Sequence, residues 1–250
     1  FMSLRVVAVM AVVSLTACPS AASDLYVDTA SKVSPALGTA SAPYRSLRRA
    51  IAAAPSGATI RIAAGTYRGA WVLSKSVTLR GAPTTSGKAG RVGRAGTVLR
   101  GEGKAPVLSL LDAGKVLLED LVIRGGAGRP VGADVHGGGI YIRGGDTTLR
   151  RCRIVDNHTR ARGGKRGGLQ IGGGVFVHKG SLTVEESVIR GNSARRGGGI
   201  GLVASDTVLL RRNLIAANVG RGDHGGGIYG DVRDIRLIEN RIRDNRIGFT

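Results

Sequence analysis

Along the second half of the chain, apolar and polar positions alternate in short bursts that keep returning. Four segments end on asparagine: TTLRRCRIVDN at Asn157, LTVEESVIRGN at Asn192, VLLRRNLIAAN at Asn218 and IRLIENRIRDN at Asn245, spaced by 35, 26 and 27 residues. Counting back from each asparagine, the tenth position holds Thr147, Leu182, Val208 and Ile235. The eighth holds Leu149, Val184, Leu210 and Leu237, and the third holds Ile154, Ile189, Ile215 and Ile242. Apolar residues two apart, a small kink residue, then another isoleucine describe short strands with one buried face. Such a unit cannot bury its apolar face alone, so the repeat predicts a solenoid in which parallel strands of successive coils stack about 4.8 Å apart. Ile154, Ile189, Ile215 and Ile242 are then expected in a single internal row.

A second motif alternates with the first. HGGGIYI begins at His136, and its core returns as GGGVFV at Gly172, GGGIGL at Gly197 and GGGIYG at Gly225. Glycine is costly to order, so three in succession before a strand predict a tight corner, with positive φ and close passage of one backbone over the next. Asparagine also tolerates the left-handed region and bonds side chain to side chain when stacked. Asn157, Asn192, Asn218 and Asn245 are therefore expected to form a ladder at another corner.

Upstream the pattern loosens. KVLLEDLVIRGG, residues 115–126, fits the same columns without the asparagine, and VTLRG at Val77 and TVLRG at Thr97 read as two shorter coils. Ahead of them, PYRSLRRAIAAA, residues 43–54, predicts a helix with Pro43 in its first turn and Leu47, Ala50, Ile51 and Ala54 on one face. It is expected to cover the open end of the solenoid. DLYVD, then PYRSLRRAIAAAPSGATIRIAAGTY and KSVTLRG, resemble the entry segment of right-handed parallel β-helix proteins of the pectin-lyase-like superfamily. The GGGI strands with their asparagine-ended partners resemble repeats of extracytoplasmic members. The resemblance implies an all-β, right-handed parallel β-helix with an N-terminal capping helix over residues 24–250. It does not select among lyases, hydrolases, esterases, epimerases and non-enzymatic adhesins, and no catalytic motif of clustered aspartates carries over residue by residue.

The N-terminus has one arginine, an apolar run over residues 6–13, then Leu15-Thr16-Ala17-Cys18. The run is too short to span a bilayer and predicts an export signal over residues 1–23. LTAC resembles a bacterial lipobox, implying lipidation of Cys18 and a cell-envelope lipoprotein. Cleavage after Ala22 would instead give a secreted protein. With Cys18 so used, Cys152 has no partner and no disulfide framework is expected. The chain reads as clipped at the C-terminus, inside a repeat.

Charge changes the picture in two ways. Residues before the kink read Glu119-Asp120, Arg150-Arg151, Glu185-Glu186, Arg211-Arg212 and Ile238-Glu239, so sign alternates from coil to coil. These are expected to set register, with one residue of each pair facing outward and half of them pairing well. The remaining excess, within a net charge of +20, gathers between each asparagine and the next triple glycine: Arg129, Arg160, Arg162, Lys165, Arg166, Arg195, Arg196 and Arg221. Stacked at one corner they form a basic ridge able to bind an anionic polysaccharide, or lipid phosphate, or simply to remain solvated.

Other candidate chemistry is thin. Asp134 and His136, and Asp223 with His224, precede two triple glycines; they read as turn residues, with proton abstraction or a cation as the sharper alternative. His158 and His178 show no ligand spacing, and neither a metal nor a cofactor is expected. Cys152 shares its column with Ser187, Asn213 and Asn240 and reads as a small buried residue. Trp71 and Tyr67 read as core or edge residues rather than sugar platforms. The glycine runs precede strands, not helices, which argues against phosphate-cradling loops. Few aromatics and the export signal argue against nucleic acid. The sequence thus supports an envelope binding or structural module for acidic polysaccharide, with a polysaccharide lyase or glycoside hydrolase as the alternative.

Overall fold

The computed structural model describes residues 24–83, 96–159 and 168–248. Strands dominate, and each turn of chain adds one rung to the same set of parallel ladders. A first ladder stacks Trp71–Leu73, Leu108–Leu111, Ile140–Arg143 and Val175–His178, then the leading parts of Ile200–Arg211 and Ile228–Ile238. A second stacks Ala58–Ile62, Val77–Gly81, Lys115–Glu119, Asp146–Arg150 and Ser181–Glu185, then the trailing parts of the same two long strands. A third runs from Gly65–Arg68 through Thr97–Arg100, Leu121–Arg124, Arg153–Val155, Val188–Arg190 and Leu214–Ala216 to Arg241–Arg243. A fourth, of short strands, joins Asp134–His136, Gln170–Ile171, Ser193–Arg196, Val219–His224 and Arg246–Ile247. Parallel rungs joined by crossovers wind right-handed, because a twisted strand packs back onto its sheet only that way. The fold is an all-β, right-handed parallel β-helix.

The interior is built from vertical columns. Ile123, Ile154, Ile189, Ile215 and Ile242 pair in register, and Leu118, Leu149, Val184, Leu210 and Leu237 do the same on the second ladder. Ile154, Ile189 and Ile215 are fully buried; Ile242 and Leu237, on the last described coil, are exposed. The single internal row of isoleucines is as expected.

The asparagine ladder is also present. Asn157, Asn192 and Asn218 each donate a side-chain hydrogen bond to the next asparagine, ending on Asn245, at 3.1, 3.0 and 2.9 Å. Asn192 is complete: its Nδ2 donates to Ile154 O and Asn218 Oδ1, while its Oδ1 accepts from the backbone N and Nδ2 of Asn157. An amide has two donors and two acceptor sites, so the Asn192 side chain is fully paired. Where the asparagine is lacking, Gly126 N donates to Asn157 Oδ1 and closes the ladder. The left-handed residue is not the asparagine but the one before it: Asp156, Gly191, Ala217 and Asp244 have φ of 54°, 66°, 52° and 57°. A residue there turns the chain so that the amide points inward.

A second polar ladder runs up the kink column. Cys152 N donates to Ser187 Oγ, Ser187 N to Asn213 Oδ1 and Asn213 N to Asn240 Oδ1, at 3.0, 2.9 and 2.9 Å. The charged positions just before it follow the alternation. Arg80 bonds Glu119 at 2.5 Å, Arg150 bonds Glu185 at 3.2 Å, Arg151 bonds Asp120 at 2.9 Å and Arg212 bonds Glu239 at 2.6 Å. Glu119 is buried beneath Arg80 and Arg151, but in each of the later pairs both residues are at least partly exposed, contrary to expectation. Asp120, Arg151, Glu186, Arg212 and Glu239 all have φ between 49° and 55°, and that turn brings neighbouring side chains to one side.

Two further expectations need correction. Val77–Gly81 and Thr97–Arg100 are not two coils but two sides of one, because Leu79 pairs with Leu118 on the second ladder and Leu99 with Ile123 on the third. Any strand with inward leucine and outward arginine reads alike in sequence; its ladder partner distinguishes it. The helix is Leu47–Ala53, capped by Ser46, whose hydroxyl accepts from Arg49 N at 3.4 Å. Pro43 lies outside it, since Tyr44 exchanges backbone hydrogen bonds with Tyr26 and Asp28 and so covers the edge of Leu25–Val27. Leu47 and Ala50 seal the end of the first coil, as expected of a cap.

Candidate functional site

The fourth ladder lies between the asparagine corner and the triple glycines, and it carries part of the excess charge. The glycines make this corner possible. Gly137 has φ of 63°, and a β-carbon on Gly138 would stand 2.2 Å from Gly173 O of the next coil. Arg129–Val131 folds back antiparallel on Asp134–His136, pairing Arg129 with His136. His136, Ile171, Arg196 and His224 then follow one another in register up successive coils. The ridge is therefore staggered: Arg129, Arg195, Arg196 and Arg221 share a corner, but no arginine stands directly above another in that column. Arg195 is exposed, and Arg129, Arg196 and Arg221 are half-buried. Arg160, Arg162, Lys165 and Arg166, and Cys18, lie outside the described residues.

Beneath the corner is a set of aromatic rings that sequence reasoning missed. Tyr141, Phe176, Gly201 and Tyr229 pair in register on the outward side of the first ladder. His136 stacks on Phe176 at 4.4 Å and 11°, and Phe176 stacks on Tyr141 at 5.4 Å. The guanidinium of Arg129 lies 5.4 Å above Tyr141, and that of Arg196 lies 5.5 Å above Tyr229 while donating to its hydroxyl at 3.3 Å. Tyr141 and Phe176 are buried, so these rings do not offer an open platform. They hold two cations of the corner in place by cation–π attraction. Gly201 interrupts the column because Ile171 Cγ2 would lie 2.4 Å from a β-carbon there. The signal was available: these are the second residues after each triple glycine, in GGGIYI, GGGVFV, GGGIGL and GGGIYG.

The carboxylates and imidazoles of the corner do not converge. Asp134 Oδ1 accepts from Leu169 N at 2.7 Å, which clips one coil to the next, and its Oδ2 is 3.9 Å from His136 Nε2. His136 is buried, its Nδ1 has no hydrogen-bond partner, and burial, the main cause, holds its pKa below the ordinary imidazole value. His136 and His224 are separated by three coil steps of about 4.8 Å each, so the two histidines cannot share one ion. Among the described residues no group of three His, Cys, Asp or Glu side chains is placed to hold a metal. His178 stands on the first ladder, with its pKa lowered by burial and then by Lys179, and His158 bridges to Ser193.

The remaining candidates are structural. Cys152 is buried, its thiol donates to Leu118 O at 3.3 Å, and burial pushes its pKa up to about 12. Tyr67 is buried and its hydroxyl donates to Ala63 O at 3.1 Å; Trp71 is 6% exposed and packs in the main core.

The family profile described as right handed beta helix region matches residues 109–250. Among solved structures, the chain is similar to a pectin methylesterase from carrot, at 13% identity and a TM-score of 0.43, covering 90% of this chain and 88% of the other. No curated protein matches the chain.

Proposed function

Since the chain belongs to the right-handed β-helix family, a fold that lays corner residues of successive coils along one edge, we propose that it is a binding module for anionic polysaccharide. The observation that carries this reading is the clamping of Arg129 and Arg196 over Tyr141 and Tyr229, beside Arg195 and Arg221 on the same corner. Long cations lose rotamer freedom when they bind an anion, and cations already held by rings lose less. Guanidinium groups suit carboxylate and sulfate because their donors form a planar fork. The export-type N-terminus and lipobox-like Cys18 support a place at the bacterial cell envelope, with the lipid as anchor.

The test is binding of the purified chain to polygalacturonate, with a neutral glucan as control. Replacing Arg195, Arg196 and Arg221 with Ser is expected to weaken binding about tenfold at low salt, and added salt to weaken the wild type more than the variant. Equal affinity of the two at low salt would overturn the reading. The alternative, a lyase or hydrolase, draws on Asp134 and His136; release of unsaturated uronate by the purified chain, abolished in His136→Ala, would favour it.

A further inference from the structure

We infer that the outer face of the third ladder carries a second, axial track for a linear acidic polysaccharide, formed by Arg68, Arg100 and Arg124. This rests on the reading above only for the ligand class; the surface is a different one. The three arginines pair in register in three adjacent coils, each at the exposed end of its strand. The same column continues through Val155, Arg190, Ala216 and Arg243, with Arg190 and Arg243 also exposed. Arg153 and Arg241 stand in the outward column beside it.

The contrast with the second ladder makes this column informative. There, after an Arg61–Arg80 rung, Glu119, Arg150, Glu185 and Arg211 follow Arg80 in register with alternating sign, and attraction between these rungs supports the stack. On the third ladder like charges stand directly above one another, an arrangement that opposes stacking. Relief is slight: Arg124 meets Asp156 at 3.2 Å and Arg243 meets Asp244 at 3.2 Å, both at exposed sites where a pair contributes little. Among the described residues Arg68, Arg100 and Arg190 have no ion pair. A fold that neutralises one column and leaves the next one cationic has that charge available for a ligand.

The geometry points to the occupant. The cations lie in single file, one per coil at about 4.8 Å, straight along the axis. A polymer with one anion per sugar and an extended backbone meets such a line repeatedly. Val98 and Val122, in the neighbouring outward column, are half-buried and give an apolar strip for the C–H faces of sugars. No aromatic side chain faces outward on the described strands of this ladder, whereas single-stranded nucleic acid is held by aromatic stacking. A membrane surface would be met by a broad patch rather than a file.

The experiment measures binding to polygalacturonate and to dextran sulfate, which separate carboxylate from sulfate recognition, at low and high salt. The triple variant Arg68→Ser, Arg100→Ser, Arg124→Ser is compared with a charge-matched one, Arg45→Ser, Lys104→Ser, Arg211→Ser, taken from other exposed positions. The column variant is expected to lose about tenfold for at least one polymer with a shallower salt dependence, and the control less than about twofold. Arg100→Ser alone, expected to lose about threefold, serves if the triple variant does not fold. Equal losses in the column and control variants would overturn the track. So would tighter binding of single-stranded DNA or of phosphatidylglycerol vesicles with the same dependence on the three arginines. If the corner variant loses binding while the column variant keeps it, the track is wrong and the corner reading stands; if neither loses it, both fall.

Discussion

The amide of Asn157 rests on the α-carbon of Gly139, so close that a β-carbon there would meet Nδ2 at 2.9 Å and Gly174 O of the next coil at 2.7 Å. The relationship repeats up the stack with Gly174 on Asn192, Gly199 on Asn218 and Gly227 on Asn245. The third glycine of each triplet is thus the seat of the asparagine ladder.

Gly139→Ala is expected to destabilise the chain by about 2–3 kcal/mol, because both obstructing groups are fixed by backbone or by the ladder. Gly248→Ala, which meets nothing within 4 Å, is expected to change little. Urea unfolding midpoints of the two variants check this.

Asn192→Ala removes the partner of Asn157 Nδ2 and of its backbone N, and takes one donor from Ile154 O. Unpaired buried groups at this density cost on the order of 3 kcal/mol. Asn245→Ala, at the part-buried end of the ladder, is expected to cost about 1 kcal/mol. Hydrogen exchange of the Asn157 amide, measured with the unfolding midpoint, separates loss of the ladder from general destabilisation.

Cys152 is held as a neutral thiol by burial. In a chain with Cys18 replaced by Ser, Ellman's reagent at pH 8 is expected to leave the folded protein unmodified and to titrate one thiol after denaturation. Rapid reaction in the folded state would contradict the packing of Cys152 against Leu118.

His136 has its pKa lowered chiefly by burial, with Asp134 pulling upward and His178 downward. Its unfolded form therefore binds protons more readily, so stability is complete above the ordinary value of 6.5 and declines as pH falls below it. Melting temperatures from pH 7 to pH 5 are expected to drop more steeply for the wild type than for His136→Gln. Parallel curves would remove His136 as the cause.

Much of the interior was legible before any coordinates. Ile154, Ile189, Ile215 and Ile242 could be aligned by counting from an asparagine, because burial against a coil above and below imposes the same side-chain requirement at each rung. That Arg129, Arg195, Arg196 and Arg221 share a corner was legible, since each falls ahead of a triple glycine. What the alignment could not give was orientation. The left-handed φ of Asp120 and Arg151 sends neighbouring side chains the same way, and nothing in their identity announces it.

The amino-acid pattern by itself determined the solenoid, its repeat and the identity of its buried rows, because apolar burial acts through period and composition that a sequence displays directly. Only the tertiary structure decided which surface residues meet. Tyr141 and Phe176 are 35 residues apart yet stack on each other. Arg68, Arg100 and Arg124, separated by 32 and then 24 residues, fall into one line through strand register. Coil lengths vary with the loops between strands, so outward neighbours are set by hydrogen-bonded pairing across coils rather than by distance along the chain.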